Sequence, residues 1–153
     1  MAYKFLKVKF MESIMKFVLS IAAILLFSSS VIKADVLKGT YKTEPNDEGS
    51  YLHVKFGSCS NDKKLTCGTI KGSYLKNGSK NKATKIIGEN IVWGMLDQGS
   101  GKYDGGQIWD PSDPKADGSK KVYKSKMALS GNTLSVSGCI LWICKAQNWV
   151  KVN

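Results

Sequence analysis

The chain has 153 residues, a formal net charge of +11, and no arginine among its 23 basic residues. That length leaves room for one domain once an N-terminal leader is set aside. Arginine supplies the planar fork that recognises phosphate and guanine, and the lysines here are dispersed rather than clustered. The composition therefore disfavours a nucleic-acid partner. It predicts a solvated basic surface, with attraction to anionic surfaces as the alternative.

The first 34 residues have the organisation of a cleavable signal peptide. A lysine-bearing segment precedes an apolar run over residues 17–27, and a small residue, Ala34, stands at the expected cleavage site. The run breaks into serines at Ser28 and is shorter than the roughly 20 apolar residues of a spanning helix, so we expect no stable membrane span after cleavage. Met15 begins a compact leader by itself, which makes residues 1–14 an extension from an upstream start. Export is the predicted fate of the remaining chain, residues 35–153.

All four cysteines follow this leader, and an even number of cysteines in a small exported domain predicts disulfides. Four cysteines allow three pairings. We favour Cys59–Cys67 and Cys139–Cys144, because each pair closes a short, turn-rich segment that contributes roughly 2–3 kcal/mol on the chain-entropy model. Neither pair has C-x-x-C spacing and His53 is the only histidine, so a metal site and a redox motif are both disfavoured. No cofactor is expected.

Residues 35–153 keep 18 lysines and 11 acidic residues, a net charge of +7, and have the periodicity of β-strands. The clearest alternation places Leu52, Val54 and Phe56 on one face and His53 on the polar face. We therefore interpret His53 as an exposed side chain and not as a ligand or catalytic base. About seven to nine strands are predicted. They cover residues 37–43, 51–56, 65–74, 103–109, 122–129, 133–140 and 146–152, and one more strand ends at Trp93 after a short apolar entry that begins at Ile86. Turns are expected at 96–102 and at the cysteine-bearing segment 139–144. This spacing indicates an antiparallel sandwich or an up-and-down barrel.

The middle of the predicted sheet is the segment 105–111, in which two glycines precede Trp109 and Pro111 ends the strand. The loop that follows carries three aspartates, Asp110, Asp113 and Asp117, which invite comparison with a calcium site. They lack the alternate-residue spacing and the closing glutamate of an EF-hand loop. Turn formation is therefore the preferred interpretation of this loop.

Taken together, several segments resemble a family of small exported bacterial proteins catalogued as domain of unknown function 2147. The shared features, in order, are Gly39-Thr-Tyr41, Cys67-Gly68, Gly105-Gly-Gln-Ile-Trp-Asp-Pro111, Gly-Ser-Lys-Lys-Val-Tyr123, Ser137-Gly-Cys139 and Ala-Gln-Asn-Trp149. The resemblance spans nearly all of residues 37–152. It implies an all-β fold, a small antiparallel lipocalin-like β-barrel of about eight strands, in the bacterial periplasm or secreted. Tyr41 stands where tryptophan is usual, the loop after Pro111 is longer than the usual turn, and the family brings no catalytic residues.

The leading functional hypothesis is a non-enzymatic protein that holds one small apolar or amphipathic molecule inside the barrel. An eight-stranded barrel encloses a space just wide enough for side chains or one small ligand. The candidate lining consists of aromatic residues and one methionine, namely Tyr41, Phe56, Trp93, Trp109, Tyr123 and Met127. Simple core filling by these side chains is the structural alternative. Ile108 and Trp109 cannot both point inward without a bulge.

The second hypothesis is a protein-binding module of the envelope or secreted fraction, an inhibitor or interaction protein that acts through surface loops such as 110–120. Its positive charge favours an acidic protein or an anionic surface as partner. An enzyme is disfavoured, because His53 lacks a suitable nucleophile beside it and the cysteines are expected to be oxidised. Asp104 and Asp110 would lie about 20 Å apart along one strand, too far to act together.

Overall fold

The computed structural model describes residues 35–153, and the predicted leader lies outside them. Eight strands form one antiparallel sheet in which each strand pairs with the next along the chain. They are β1 (Gly39–Lys42), β2 (Tyr51–Ser58), β3 (Thr66–Tyr74), β4 (Asn90–Gly99), β5 (Lys102–Trp109), β6 (Val122–Ser130), β7 (Thr133–Ile140) and β8 (Ile143–Lys151). Tyr41 and Lys42 of β1 also pair with β8, which closes the sheet into a barrel. The predicted all-β barrel is confirmed.

Both predicted disulfides are also confirmed, Cys59 with Cys67 and Cys139 with Cys144. The first joins residues on either side of the β2–β3 connection, and the second joins directly opposed residues of β7 and β8. Within residues 35–153, no helix is long and apolar enough to cross a membrane.

Alternate connections lie at the same end of the barrel, because consecutive strands run antiparallel. One end, which we call the loop end, carries the connections 43–50, 75–89 and 110–121 and the two-residue turn 141–142. The opposite end carries the connection 59–65 and two tight turns. Leu37, just before β1, is buried against this opposite end, and its backbone N–H donates to the Thr66 hydroxyl at 3.2 Å.

The barrel interior is filled with side chains. Tyr41 packs edge-on against Phe56 with ring centroids 5.6 Å apart, Phe56 lies 6.1 Å from Trp149, and none of the three is more than 2% exposed. Two glycines make room for this packing. A side chain at Gly68 would come within 2.8 Å of the Phe56 ring, and a side chain at Gly106 would overlap a buried methionine sulfur. Interiors of this kind are close-packed and leave few voids.

Two predicted boundaries are wrong. We expected a strand to end at Trp93 and a turn over 96–102, but β4 continues to Gly99. Gly94 and, on the neighbouring strand, Gly105 have left-handed φ angles of 72° and 79°, which interrupt the two-residue alternation. The regular period on which the prediction depended is therefore lost at this point, although the strand continues.

The second wrong boundary is the start of β8. We expected a turn over 139–144 and a strand from Ala146, but β8 begins at Ile143 and the turn is only Leu141-Trp142. Cys139 lies in β7 and Cys144 lies opposite it in β8, so their disulfide cross-links the two strands like a rung. The hairpin therefore reaches farther from the barrel than predicted.

Candidate functional site

The end of the β7–β8 hairpin exposes four consecutive large apolar side chains. We call Ile140, Leu141, Trp142 and Ile143 the apolar tip; they are 60%, 78%, 82% and 70% exposed. Ile140 and Ile143 oppose each other as the last pair of the ladder, and Leu141 and Trp142 form the turn. Hairpin turns are ordinarily polar or glycine-rich, and a run of exposed apolar residues is unusual unless it serves a function.

The strands behind the apolar tip are fixed in register. The Cys139–Cys144 disulfide crosses the hairpin immediately behind Ile140 and Ile143. Exposed lysines follow at once. Lys145 lies one residue beyond Cys144 on β8, and Lys124 of β6 lies opposite Cys139. From the turn inward, the hairpin thus presents apolar side chains, then the disulfide, then positive charge.

Leu141 has a φ of 55°, in the left-handed region. That conformation costs an L-residue roughly 1–2 kcal/mol, and glycine or asparagine usually occupies it in a two-residue hairpin turn. A bulky residue at positive φ is a genuine outlier. The turn therefore keeps an exposed leucine at the expense of stability, which points to a role outside folding.

The hairpin extends beyond β1 because β1 is short. β1 pairs only with the last part of β8, at Val150 and Lys151. Farther along, the Asn148 backbone N–H donates to the Glu44 carboxylate at 2.7 Å. Among the described residues, no strand pairs with the 143–147 part of β8 on that side, and residues 143–146 are all exposed. The apolar tip accordingly lies at the loop end with its β1 side open to solvent.

The candidate lining residues divide into two groups. Tyr41, Phe56 and Met127 are buried at 1%, 2% and 3% exposure and belong to the packed interior. Trp93 and Tyr123 are only half-buried. The Trp93 indole N–H donates to the Gln107 side chain on the outer wall at 3.0 Å.

Trp109, the sixth candidate, and Tyr123 both lie near the loop end. The Trp109 indole donates to the Asn90 carbonyl at 2.8 Å, and the Lys120 ammonium lies 4.5 Å above its ring. Strand alternation puts Trp109 on the opposite face from Ile108, so the two side chains do not share the interior. Tyr123 donates its hydroxyl to a carboxylate of the 110–121 loop. Trp109 belongs to the same buried core as Tyr41, Phe56 and Met127, Trp93 packs against that core, and Tyr123 lies outside it.

Two depressions stand out on the described part of the surface, of about 240 and 320 Å³. The smaller lies over β2 and β3 near Lys55 and Thr69, and the larger lies over the wall of β5 to β7 near Lys126. Both are open to solvent. Each includes only one of the six candidate lining residues, Phe56 in the smaller and Met127 in the larger.

His53 belongs to an aromatic cluster on the outer wall. Its ring lies 4.6 Å from Tyr74 and 5.8 Å from Tyr51, the two tyrosines stack at 5.2 Å, and the Lys42 ammonium lies 4.1 Å from the Tyr51 ring centroid. His53 lies on the outer face, as the alternation predicted, but cross-strand packing makes it half-buried and not exposed. Burial, and then the charge of Lys42, lower the pKa of His53. The rings of this cluster pack against one another, so they offer a partner less exposed surface than the apolar tip does.

Two aspartates of the 110–121 loop form turns, as the sequence predicted, and a third connects the loop to the start of β6. Asp110 and Asp117 each accept a backbone hydrogen bond from the serine two residues later. Asp113 accepts from the Tyr123 hydroxyl at 2.7 Å and from Lys121 at 3.0 Å, and these two hydrogen bonds lower the pKa of its carboxyl. Across the described residues, no group of three or more side chains is arranged to hold a metal ion.

Sequence reasoning missed the apolar tip. Its signal was available, namely four large apolar residues between Cys139 and Cys144 in a segment interpreted as a turn. A turn of that composition conflicts with ordinary turn chemistry, and the conflict itself indicates a functional element.

Comparisons with curated proteins and with solved structures give no match. A family model matches residues 39–151, which is nearly the whole barrel. Two disulfides in a bacterial protein indicate an oxidising environment outside the cytosol. The chain belongs to the family described as "Uncharacterized protein conserved in bacteria (DUF2147)", which confirms the resemblance seen in the sequence.

Proposed function

We propose that this protein is an exported, non-enzymatic binding module of the bacterial periplasm or secreted fraction, and that the apolar tip is its contact element. The single observation that carries the proposal is the exposure of four adjacent large apolar side chains, from 60% at Ile140 to 82% at Trp142. Contiguous exposed apolar surface on a soluble domain marks an interaction site. The leader predicted over residues 1–34 supplies export.

The energy available at the tip is sufficient for a contact of moderate strength. Fully burying a large aliphatic or aromatic side chain contributes roughly 1.5–3 kcal/mol. The four side chains of the tip are mostly exposed, so each contributes part of this free energy when a partner covers it. Part of that gain offsets the translational and rotational entropy that is lost on binding. Such an element therefore usually needs a second source of attraction.

The tip is also preorganised for contact. The disulfide fixes the strands directly behind it, and the paired Ile140 and Ile143 fix the turn. A binding element that is already ordered loses less entropy when it engages a partner. The left-handed Leu141 supports the same interpretation, since a polar turn would fold with less strain.

A small apolar ligand inside the barrel remains the second candidate function. It is favoured by the aromatic character of the interior, with Tyr41, Phe56 and Trp149 in one cluster. The tight packing of that cluster gives it less support than the tip gives to a contact role. Native mass spectrometry of the protein taken from its own cells separates the two ideas, because a carrier would retain a stoichiometric adduct of a few hundred daltons.

Catalysis is left out of the proposal on chemical grounds. A nucleophilic mechanism needs a thiol or hydroxyl activated by a neighbouring base. In residues 35–153 every cysteine is in a disulfide, and His53 packs beside the stacked rings of Tyr51 and Tyr74. A contact role, in contrast, needs only the exposed apolar side chains of the tip.

The proposal is tested by fractionating cells that produce the full-length protein. The wild type, Trp142→Ser and Leu96→Ser are compared for the fraction that sediments with envelope material. Leu96 is the matched control, because it is also apolar and 43% exposed but lies on β4, away from the tip. We expect the bound fraction to fall severalfold in Trp142→Ser only. A wild type without any bound fraction, or equal binding by all three proteins, contradicts the proposal.

A further inference from the structure

The apolar tip has a layered arrangement that identifies the chemistry of its partner. The distance from the Cys139–Cys144 rung to the end of the turn is about two residues, or roughly 7 Å of β-strand. Exposed Lys145 lies one residue behind that rung, and exposed Lys124 of the neighbouring β6 lies level with it. Interfacial membrane elements bury their apolar part by about 5–10 Å and keep cationic side chains at the level of the headgroups.

Resting on the proposed function, we infer that the apolar tip inserts into the surface of an anionic lipid bilayer. Tryptophan is the side chain most typical of the membrane–water interface, since its ring is apolar and its N–H can still reach water. Trp142 is 82% exposed at the outermost turn, where it would enter that region first.

The geometry favours a lipid surface over a protein surface. The apolar side chains occupy the outermost turn and the pair behind it, and exposed lysines of β6 and β8 lie just inside them, which is the order found in interfacial membrane elements. Lys124 and Lys145 take part in none of the ion pairs found in residues 35–153, so both charges are free to face headgroups. The net charge of +7 over these residues has the sign that an anionic surface attracts.

The depth of insertion is limited by the backbone. Toward the β1 side, the 143–147 part of β8 has no strand partner among the described residues. Unpaired N–H and C=O groups do not enter hydrocarbon, because nothing there replaces their hydrogen bonds with water. The tip therefore enters only as far as the turn and the Ile140–Ile143 pair. A shallow contact of this kind resembles a single lipid anchor, which binds reversibly and gains stability from a second, electrostatic attraction.

The test is flotation of the purified protein with vesicles of phosphatidylcholine alone and of phosphatidylcholine mixed with phosphatidylglycerol. We expect binding to the anionic vesicles, weaker binding at high salt, and a blue shift of tryptophan emission. Trp142→Ser should reduce the partition coefficient by about tenfold or more. Trp142→Phe should keep most of the binding and lose most of the blue shift.

Charge is tested separately by the double variant Lys124→Glu/Lys145→Glu. Its matched control is Lys63→Glu/Lys64→Glu, which changes net charge equally but lies in the 59–65 connection at the opposite end of the barrel. We expect the first double variant to bind anionic vesicles about tenfold more weakly than the control. Equal loss in both would overturn the insertion geometry.

Two further outcomes separate this inference from the proposed function. A wild type that binds neither vesicle, in a protein whose envelope association still depends on Trp142, overturns the lipid assignment and leaves a protein partner for the tip. Vesicle binding that survives Trp142→Ser shows that another surface contacts lipid, which also overturns the inference.

Discussion

Replacing Leu141 with asparagine should make the protein more stable while weakening its contacts. Leu141 has a φ of 55° and is 78% exposed. An L-residue in the left-handed region costs roughly 1–2 kcal/mol, whereas asparagine tolerates it through local hydrogen bonding. Little packing is lost, because so little of the leucine is buried. We expect the free energy of unfolding to rise by about 1 kcal/mol.

The assay is thermal unfolding with both disulfides intact, where about 1 kcal/mol corresponds to a rise in Tm of roughly 3–6 °C for a domain of this size. Trp142→Asn is the control, since Trp142 is equally apolar and exposed but is not among the positive-φ residues. It should leave Tm nearly unchanged. A Leu141→Asn variant no more stable than the wild type, or an equal gain in Trp142→Asn, would refute the reasoning about strain.

Three other changes test the barrel, the disulfide and the outer wall. Gly106→Ala, whose added carbon would overlap a buried methionine sulfur, should lower the free energy of unfolding by about 1–3 kcal/mol in urea titrations. Gly57→Ala, with nothing within 4 Å, should change it little, and equal effects would argue against a filled interior. Replacing Cys139 and Cys144 with serine should lower it by about 2 kcal/mol, and an unchanged urea midpoint would contradict this. Burial and a neighbouring lysine lower the pKa of His53 from 6.5. Its stabilising contribution is therefore fully present above about pH 6.5 and is lost as the pH falls through the lowered folded-state pKa. His53→Gln should lose less stability than the wild type on acidification to about pH 5, and equal losses would count against this assignment.

Much of the fold follows from local chemistry. The alternation of Leu52, Val54 and Phe56 predicted β2 because one face of that strand is buried along its length. Both disulfides followed from short spacing, since each pair is brought together by a single hairpin. The closed order of eight strands came from the family resemblance, because periodicity alone left a sandwich and a barrel equally open.

The features that the sequence did not predict depend on contacts between segments that are distant in the chain. The true end of β4 was hidden because Gly94 adopts a left-handed conformation and breaks the period. The exposure of the tip depends on β1 being only four residues long, which leaves the outer part of β8 without a neighbour on one side. Nothing within the segment 139–144 encodes the length of β1. The candidate lining was chosen by residue type. The structure places Tyr41, Phe56, Trp109 and Met127 in the buried core and Tyr123 outside it, and residue type alone does not tell which face of a strand a side chain occupies.

The most direct test of the tip as a contact element is site-specific photocrosslinking from position 141 in living cells. A photoreactive residue replaces Leu141 in one variant and Leu96, on the barrel wall, in another. We predict strong crosslinks to an envelope component from position 141, few from position 96, and loss of the first set when Trp142 is changed to serine. Equal crosslinking from both positions, or none from position 141, would contradict the assignment of the apolar tip as the surface through which this protein acts.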